Sequence, residues 1–337
     1  MKILVLNSSW RNVGNAWFCT SLYMLLKEMY PEYEIILGEE PIRISFQIKN
    51  NKEINNALNL IQYQDADIYI FAGPILSENF YRDYVPIIQQ IKENKKDYAF
   101  ISISGTGLTK LVSTQIGEFL QKYPPLFFSS RDEETYYAFK PYVNNIYNGI
   151  CTAFLVNKTI PIHPIKMKKK FFISSFYREL EPIFILPSKK CCNIENLQIR
   201  HRKNILNLPY GIARHFNIYL KHQTEVGDHI IVRTIQDLNT KFNHINFACP
   251  NSFISYNPIS YLDLTKSCEF VISDRVHACA IALACGKPAR FLFNTKRAGI
   301  FDRMGFDYKK NGGIMYPNPE KIDSEKFLLE NEIRKYI

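Results

Sequence analysis

The sequence has no C-x-x-C pair, and its eight cysteines (Cys19, Cys151, Cys191, Cys192, Cys249, Cys268, Cys279, Cys285) show no zinc-like spacing with histidine. That removes structural zinc and thioredoxin-type redox chemistry from the expected functions. Most of these cysteines sit in apolar runs, where a free thiol behaves as a small hydrophobe, and they are expected to be reduced; only the adjacent Cys191 and Cys192 suggest any role beyond packing. No apolar run reaches the roughly 18 residues of a membrane span. The opening Met1-Lys-Ile-Leu-Val-Leu-Asn7 is too short for a signal peptide and lacks a small-residue cleavage site, so it reads as a first strand of a cytoplasmic protein. G-x-G-x-x-G is missing, which argues against dinucleotide binding, and G-x-S-x-G is missing too. There is no internal repeat and no low-complexity tract.

What is present is a chain of 337 residues, 46% hydrophobic and 14% aromatic. It is globular and long enough for two domains. The formal charge of +10 is concentrated between Lys158 and Ile245, with fifteen Lys or Arg against six Asp or Glu, densest at Lys166, Lys168, Lys169 and Lys170. Such a segment attracts phosphorylated small molecules or an anionic membrane face, or is simply a solvated surface. It carries no recognition module for nucleic acid, and no nucleic-acid partner is expected.

Strand and helix signals alternate in the first half: Ile3–Leu6, a helix over Asn15–Tyr30, then strands at Asp67–Ala72, Tyr98–Ser104 and Leu126–Ser129. Pro164, the lysine cluster and Pro182 interrupt the pattern. It resumes with strands at His229–Arg233 and Phe247–Cys249 and a helix over Ile259–Lys266. The expected fold is α/β, two Rossmann-like domains facing a central cleft in a GT-B-like arrangement. The expected boundaries are 1–160, 161–315, and a C-terminal helix in 316–337 that packs back on the first domain.

The segment from Glu269 to Phe293 reads as strand, capped helix, stop and strand. Phe270–Ile272 is a buried run, Ser273 and Asp274 are helix-capping residue types, and Gly286 and Pro288 close the helix. Arg275 and His277 then fall at a helix start beyond a parallel strand, where free N–H groups and the helix dipole favour an anion. Arg131 precedes a helix that opens with Glu133 and Glu134. A cation there is mildly unfavourable, so something anionic, either Asp132 or a ligand, must compensate. Asn12, Gly14 and Asn15 in the first loop, Gly73 and Gly105 after strands, and Ser273 and Arg297 are further expected substrate-binding residues; the glycines can line a cleft or merely turn the chain. Asp302 and Arg303 rim the same edge, with surface salt-bridging as the plainer reading. No metal-binding cluster and no cofactor site is expected.

Ser273-Asp-Arg-Val-His277, the small-residue helix, and Gly286-Lys-Pro288 resemble the C-terminal signature of the polysaccharide pyruvyl transferase family. Asn12-Val-Gly-Asn15, Ser130-Arg-Asp-Glu133, Asn148–Phe154 and Arg297–Phe301 with Arg303 fit its layout. The resemblance implies a transferase with phosphoenolpyruvate as donor. It implies a sugar or lipid-linked glycan acceptor that receives pyruvate as a cyclic ketal, and Arg131, Arg275 and His277 as the catalytic residues. A glycine-rich loop common in the family is reduced here to Gly73, and Asn15 stands where an acidic residue is common. Association with the inner face of a membrane is a further expectation. The rival reading is a GT-B glycosyltransferase with a nucleotide-sugar donor; a third is a non-catalytic binding protein.

Overall fold

The computed structural model describes residues 1–7, 10, 12–46, 48, 50–58, 60–176, 179–187, 194–201, 222–234 and 249–337. Cys191, Cys192 and most of the strand expected at Phe247–Cys249 lie outside these residues.

The first sheet holds β1 (Lys2–Asn7), β2 (Glu34–Glu39), β3 (Ile68–Gly73), β4 (Asp97–Ile103), β5 (Phe128–Ser130) and β6 (Ile146–Tyr147), in the order β2-β1-β3-β4-β5-β6. Every pairing in it is parallel. Ile68-Tyr-Ile-Phe-Ala-Gly73 is buried at all six positions, as an inner parallel strand covered on both faces must be. The strand order reverses between β1 and β3, and in open α/β sheets ligands bind in the crevice outside the strand ends at such a point.

The second sheet begins with β7 (Phe171–Ser175). A separate antiparallel hairpin, β8 (Ile183–Ile185) with β9 (Gln198–Arg200), follows in the chain. The sheet is completed by β10 (Glu225–Val226), β11 (His229–Thr234), β12 (Ser252–Phe253), β13 (Val271–Ser273), β14 (Ala289–Phe291) and β15 (Ile314–Met315). Its order is β10-β11-β7-β13-β14-β15, with β12 on β11. The inner pairs are parallel, whereas β10 and β15 join antiparallel. Here the order reverses between β7 and β13.

One apolar core runs through both halves. The helix Val13–Met29 buries eleven of its seventeen residues, more than a surface helix would, because it lies between the first sheet and the second half. Trp17 Nε1 donates to the carbonyl of Pro258 (2.9 Å), and the Ser21 and Thr159 hydroxyls meet at 2.8 Å. The 3-10 turn Thr152–Leu155 and the helix Val276–Ala284 complete this shared core. The C-terminal helix Pro319–Ile333 lies against the first half: Lys326 pairs with Glu28, and Tyr336 stacks on Phe127 at 5.3 Å between centroids.

The second half also contains a buried ion pair. Arg233, fully enclosed, donates through Nε and Nη2 to Glu181 Oε2 (3.0 and 2.9 Å), and Ser174 Oγ donates to Glu181 Oε1 (2.6 Å). His222 joins the same carboxylate at 3.3 Å and meets Cys249 Sγ at 3.8 Å. The Cys249 contact and the Glu181 carboxylate raise its pKa to about 9.

Candidate functional site

The two strand-order reversals face each other, and the loops that leave them meet. On the first sheet the chain turns after β1 into the helix Val13–Met29, whose N-cap is Asn12; the Asn12 Oδ1 accepts from Gly14 N at 3.2 Å. On the second, β13 ends at Ser273 and the helix Val276–Ala284 begins. Arg275 Nη2 crosses from the second half to donate to Asn12 Oδ1 at 3.2 Å.

The expected capping differs in detail. Arg275, not Ser273 or Asp274, occupies the N-cap and makes no side-chain cap bond. Ser273 Oγ accepts from Arg275 N (2.8 Å) and donates to the Ser175 carbonyl (2.6 Å), while Asp274 Oδ2 accepts from Glu179 N (2.7 Å). Ser273 is wholly buried, so its hydroxyl stitches β13 to β7 and sets the angle at which the helix emerges.

His277 lies in the first turn of this helix and keeps partial exposure. Its ring packs against Phe18 (5.3 Å between centroids), and Nε2 lies 3.8 Å from Cys151 Sγ. Its other nitrogen faces Gly14: a Cβ built there would stand 2.7 Å from Nδ1, so only glycine leaves room for the imidazole. Burial, then the positive charges of Arg131, Arg275 and Arg297, hold the imidazole well below its ordinary pKa.

Arg131 is 3% exposed, and its guanidinium lies over the Phe18 ring at 5.7 Å. Asp132 does not neutralise it. That carboxylate caps the helix Glu133–Phe139 by accepting from Thr135 N (2.8 Å) and accepts from Ser104 Oγ (2.8 Å). Nε and Nη1 of Arg131 find no hydrogen-bond partner among the described residues. Leaving two buried guanidinium nitrogens unpaired is costly, and such groups in a native fold call for an explanation.

Cys151 comes from the segment that links the halves. It is fully buried, and burial pushes its thiol pKa up. Thr152 N donates to Ser102 Oγ (3.1 Å), and Ser102 holds φ +60, a left-handed conformation rare for serine. Residue type alone marks neither Cys151 nor Ser102 as part of a site: a cysteine in an apolar run has no mark that separates it from core, and a positive φ leaves none on a serine. Only the Asn148–Phe154 segment as a whole points to this place.

The remaining expected residues divide. Arg297, on the 3-10 turn Lys296–Ala298, is exposed and acts on His277 through its charge. Asn15 is part-exposed beside Asn12, its N–H donating to the Asn12 carbonyl at 2.8 Å. Gly73, at φ +89, has Phe18 where a side chain would be, and Gly105 is enclosed by Leu76, Leu108 and Phe139; both admit packing. Arg303 is not a rim residue: it pairs with Glu325 (2.9 Å) and donates to the Asn148 carbonyl (2.8 Å), anchoring the C-terminal helix. Among the described residues no group of His, Cys, Asp and Glu could hold a metal. No helix among them is long and apolar enough to cross a membrane. Two surface clefts, one lined from Ile61 to Asn94 and one from Met304 to Glu320, share no residue with the crevice.

The chain is similar in structure to UDP-GlcNAc 2-epimerase from Neisseria meningitidis bound to UDP-GlcNAc, at 11% identity and TM-score 0.51, covering 99% of this chain and 100% of that one. It is similar also to the S. aureus MnaA–UDP co-structure, at 13% identity and TM-score 0.50, covering 99% and 89%. These likenesses show the fold, two Rossmann-like domains in the GT-B arrangement. A search of curated proteins finds no match. A model of the polysaccharide pyruvyl transferase family matches residues 12–294, from the N-cap Asn12 through His277 and past β14. The chain therefore belongs to the polysaccharide pyruvyl transferase family, a family of transferases.

Proposed function

We propose that the crevice binds phosphoenolpyruvate and transfers its pyruvyl group, as a ketal, to a sugar of a glycan. The observation that carries this reading is the buried guanidinium of Arg131, with two nitrogens unpartnered among the described residues, in a site where the charges acting on His277 are three arginines. Phosphoenolpyruvate has roughly two negative charges on its phosphate and another on a carboxylate a short distance away. Two or three guanidinium groups and a helix N-terminus match that pattern.

In the proposed reaction a proton is added to the methylene carbon, making an oxocarbenium-like centre at C2 that a sugar hydroxyl attacks. The carbon–oxygen bond to phosphate then breaks, and a second hydroxyl closes the ketal ring. Arg131 and Arg275 hold the two anionic ends and stabilise the departing phosphate. Before the donor binds, His277 is neutral, its pKa held well below the ordinary value. The donor's negative charges offset the arginines and restore its basicity, so that it carries the proton only once the donor is bound. The second half supplies the donor side and the first the acceptor side.

Incubation with phosphoenolpyruvate and a glycan pool is expected to release phosphate, and His277→Ala to abolish the release. Thermal shift separates the rival donor class: stabilisation by UDP- or GDP-sugars, with none by phosphoenolpyruvate, contradicts the proposal.

A further inference from the structure

We propose that Cys151 is a positioning residue for His277: its thiol holds Nε2 of the imidazole, so that a protonated Nδ1 faces the corner formed by Asn12 and Gly14. The inference rests on reading His277 as a residue of the anion crevice.

The imidazole is fixed on three sides, by the Cys151 thiol at Nε2, the Phe18 ring on its face, and the Gly14 backbone beside Nδ1. The thiol is held in place because the backbone around it is tied to the first half at three points. Phe154 N donates to the Cys151 carbonyl (3.0 Å), Thr152 Oγ1 donates to the Phe18 carbonyl (2.8 Å), and Thr152 N is held by Ser102. The strained backbone of Ser102 fits this purpose: it aims the hydroxyl that fixes the residue next to Cys151.

The chemistry of the pair selects one tautomer. Burial keeps the thiol protonated, and a thiol then has a hydrogen to donate. The imidazole is neutral under the combined charge of Arg131, Arg275 and Arg297, so one nitrogen is an acceptor. Ser102 and Arg131 also reach the sulfur, and both lower its pKa as donors to it, so the thiol hydrogen is left for Nε2, which places the ring proton on Nδ1. The charged and titratable groups acting on the ring are therefore Arg275 on its own segment, Arg131 before Glu133–Phe139, Arg297 on Lys296–Ala298, and Cys151 before Thr152–Leu155. Nδ1 lies beside Gly14 in the first turn of the Val13–Met29 helix, so a donor there adds to that helix N-terminus in favouring an anion. The opposite tautomer would present a lone pair there and repel it.

Histidine-labelled protein tests this directly. Two-bond proton–nitrogen correlation spectra distinguish the tautomers, and the His277 signals are those missing from His277→Gln. Wild-type protein is expected to show the Nδ1–H form. Cys151→Ala and Cys151→Val, which lack the donor, are expected to lose it, and Cys151→Ser to keep it. In the same variants kcat for phosphate release falls about tenfold with the apolar residues and recovers with serine, with KM for phosphoenolpyruvate little changed. Retention of the Nδ1–H form in either apolar variant that folds overturns the assignment. Wild-type protein that shows the Nδ1–H form but never turns over phosphoenolpyruvate overturns pyruvyl transfer and leaves the Cys151 assignment standing.

Discussion

Arg275 of the second half donates from Nη2 to Asn12 Oδ1 of the first at 3.2 Å, at the place where both sheets reverse their strand order. Asn12 caps one helix and Arg275 stands at the cap position of another. Two helix N-termini thereby meet, and the charges that act on His277 beside them are those of Arg131, Arg275 and Arg297.

Arg131 provides the sharpest separation of function from stability. Its buried guanidinium lacks partners at Nε and Nη1 among the described residues, and leaving such a group unsatisfied costs about 1–3 kcal/mol. Arg131→Met is expected to leave urea stability unchanged or raise it by up to about that amount. The same substitution should weaken phosphoenolpyruvate binding about a hundredfold, two charge-assisted bonds being lost. A large loss of stability would show Arg131 to be a structural group instead.

His277 is expected to be neutral at pH 6.5 without phosphoenolpyruvate, because burial and three arginines hold its pKa well below 6.5. The unfolded chain binds this proton more readily than the folded one. The contribution to stability is therefore present above pH 6.5 and is lost as pH falls through the depressed value. Phosphoenolpyruvate reverses the electrostatics, so its binding near pH 6.5 should take up protons. Calorimetry in buffers of differing ionisation enthalpy measures that uptake; an enthalpy independent of buffer contradicts it.

Gly14→Ala places a Cβ about where the imidazole needs room, 2.7 Å from His277 Nδ1. A helical position otherwise favours alanine over glycine by roughly 1 kcal/mol, so stability should change little while turnover falls more than tenfold. Comparing the melting temperature with the rate of phosphate release checks both halves of the statement. Unaltered turnover would show that the imidazole can move without consequence.

His222 carries the opposite pH signature. Its pKa is raised to about 9 by Cys249 and Glu181, so its stabilising effect is complete below pH 6.5 and lost as pH rises through about 9. The effect is on the order of 2 kcal/mol after allowance for its partial solvation. His222→Gln should flatten that loss between pH 6.5 and 9, measured as urea midpoints across the range.

Much of this was legible in the residues. Buried β-branched runs marked β1, β3, β4 and β11, and the Ser273–His277 run marked the place where a strand yields to a buried helix. What escaped depended on distance in the chain. The capping role expected of Ser273 and Asp274 went elsewhere because each found a better partner, Ser175 and Glu179, that no local pattern reveals. At Gly73 the space a side chain would take is filled by Phe18, far away in sequence. Arg303 looked like a surface cation, yet Glu325 and the Asn148 carbonyl enclose it. Cys151 resembled core because it is core, with one atom turned toward His277.

The measurement that tests the central claim most directly is phosphate release from phosphoenolpyruvate in the presence of a glycan acceptor, with mass analysis of the acceptor. Wild-type protein is predicted to release phosphate in step with pyruvyl ketal formed, and Arg275→Ala to lose about a hundredfold in kcat/KM. Absence of release with every acceptor, together with tight binding of a nucleotide sugar in the same crevice, would contradict the account.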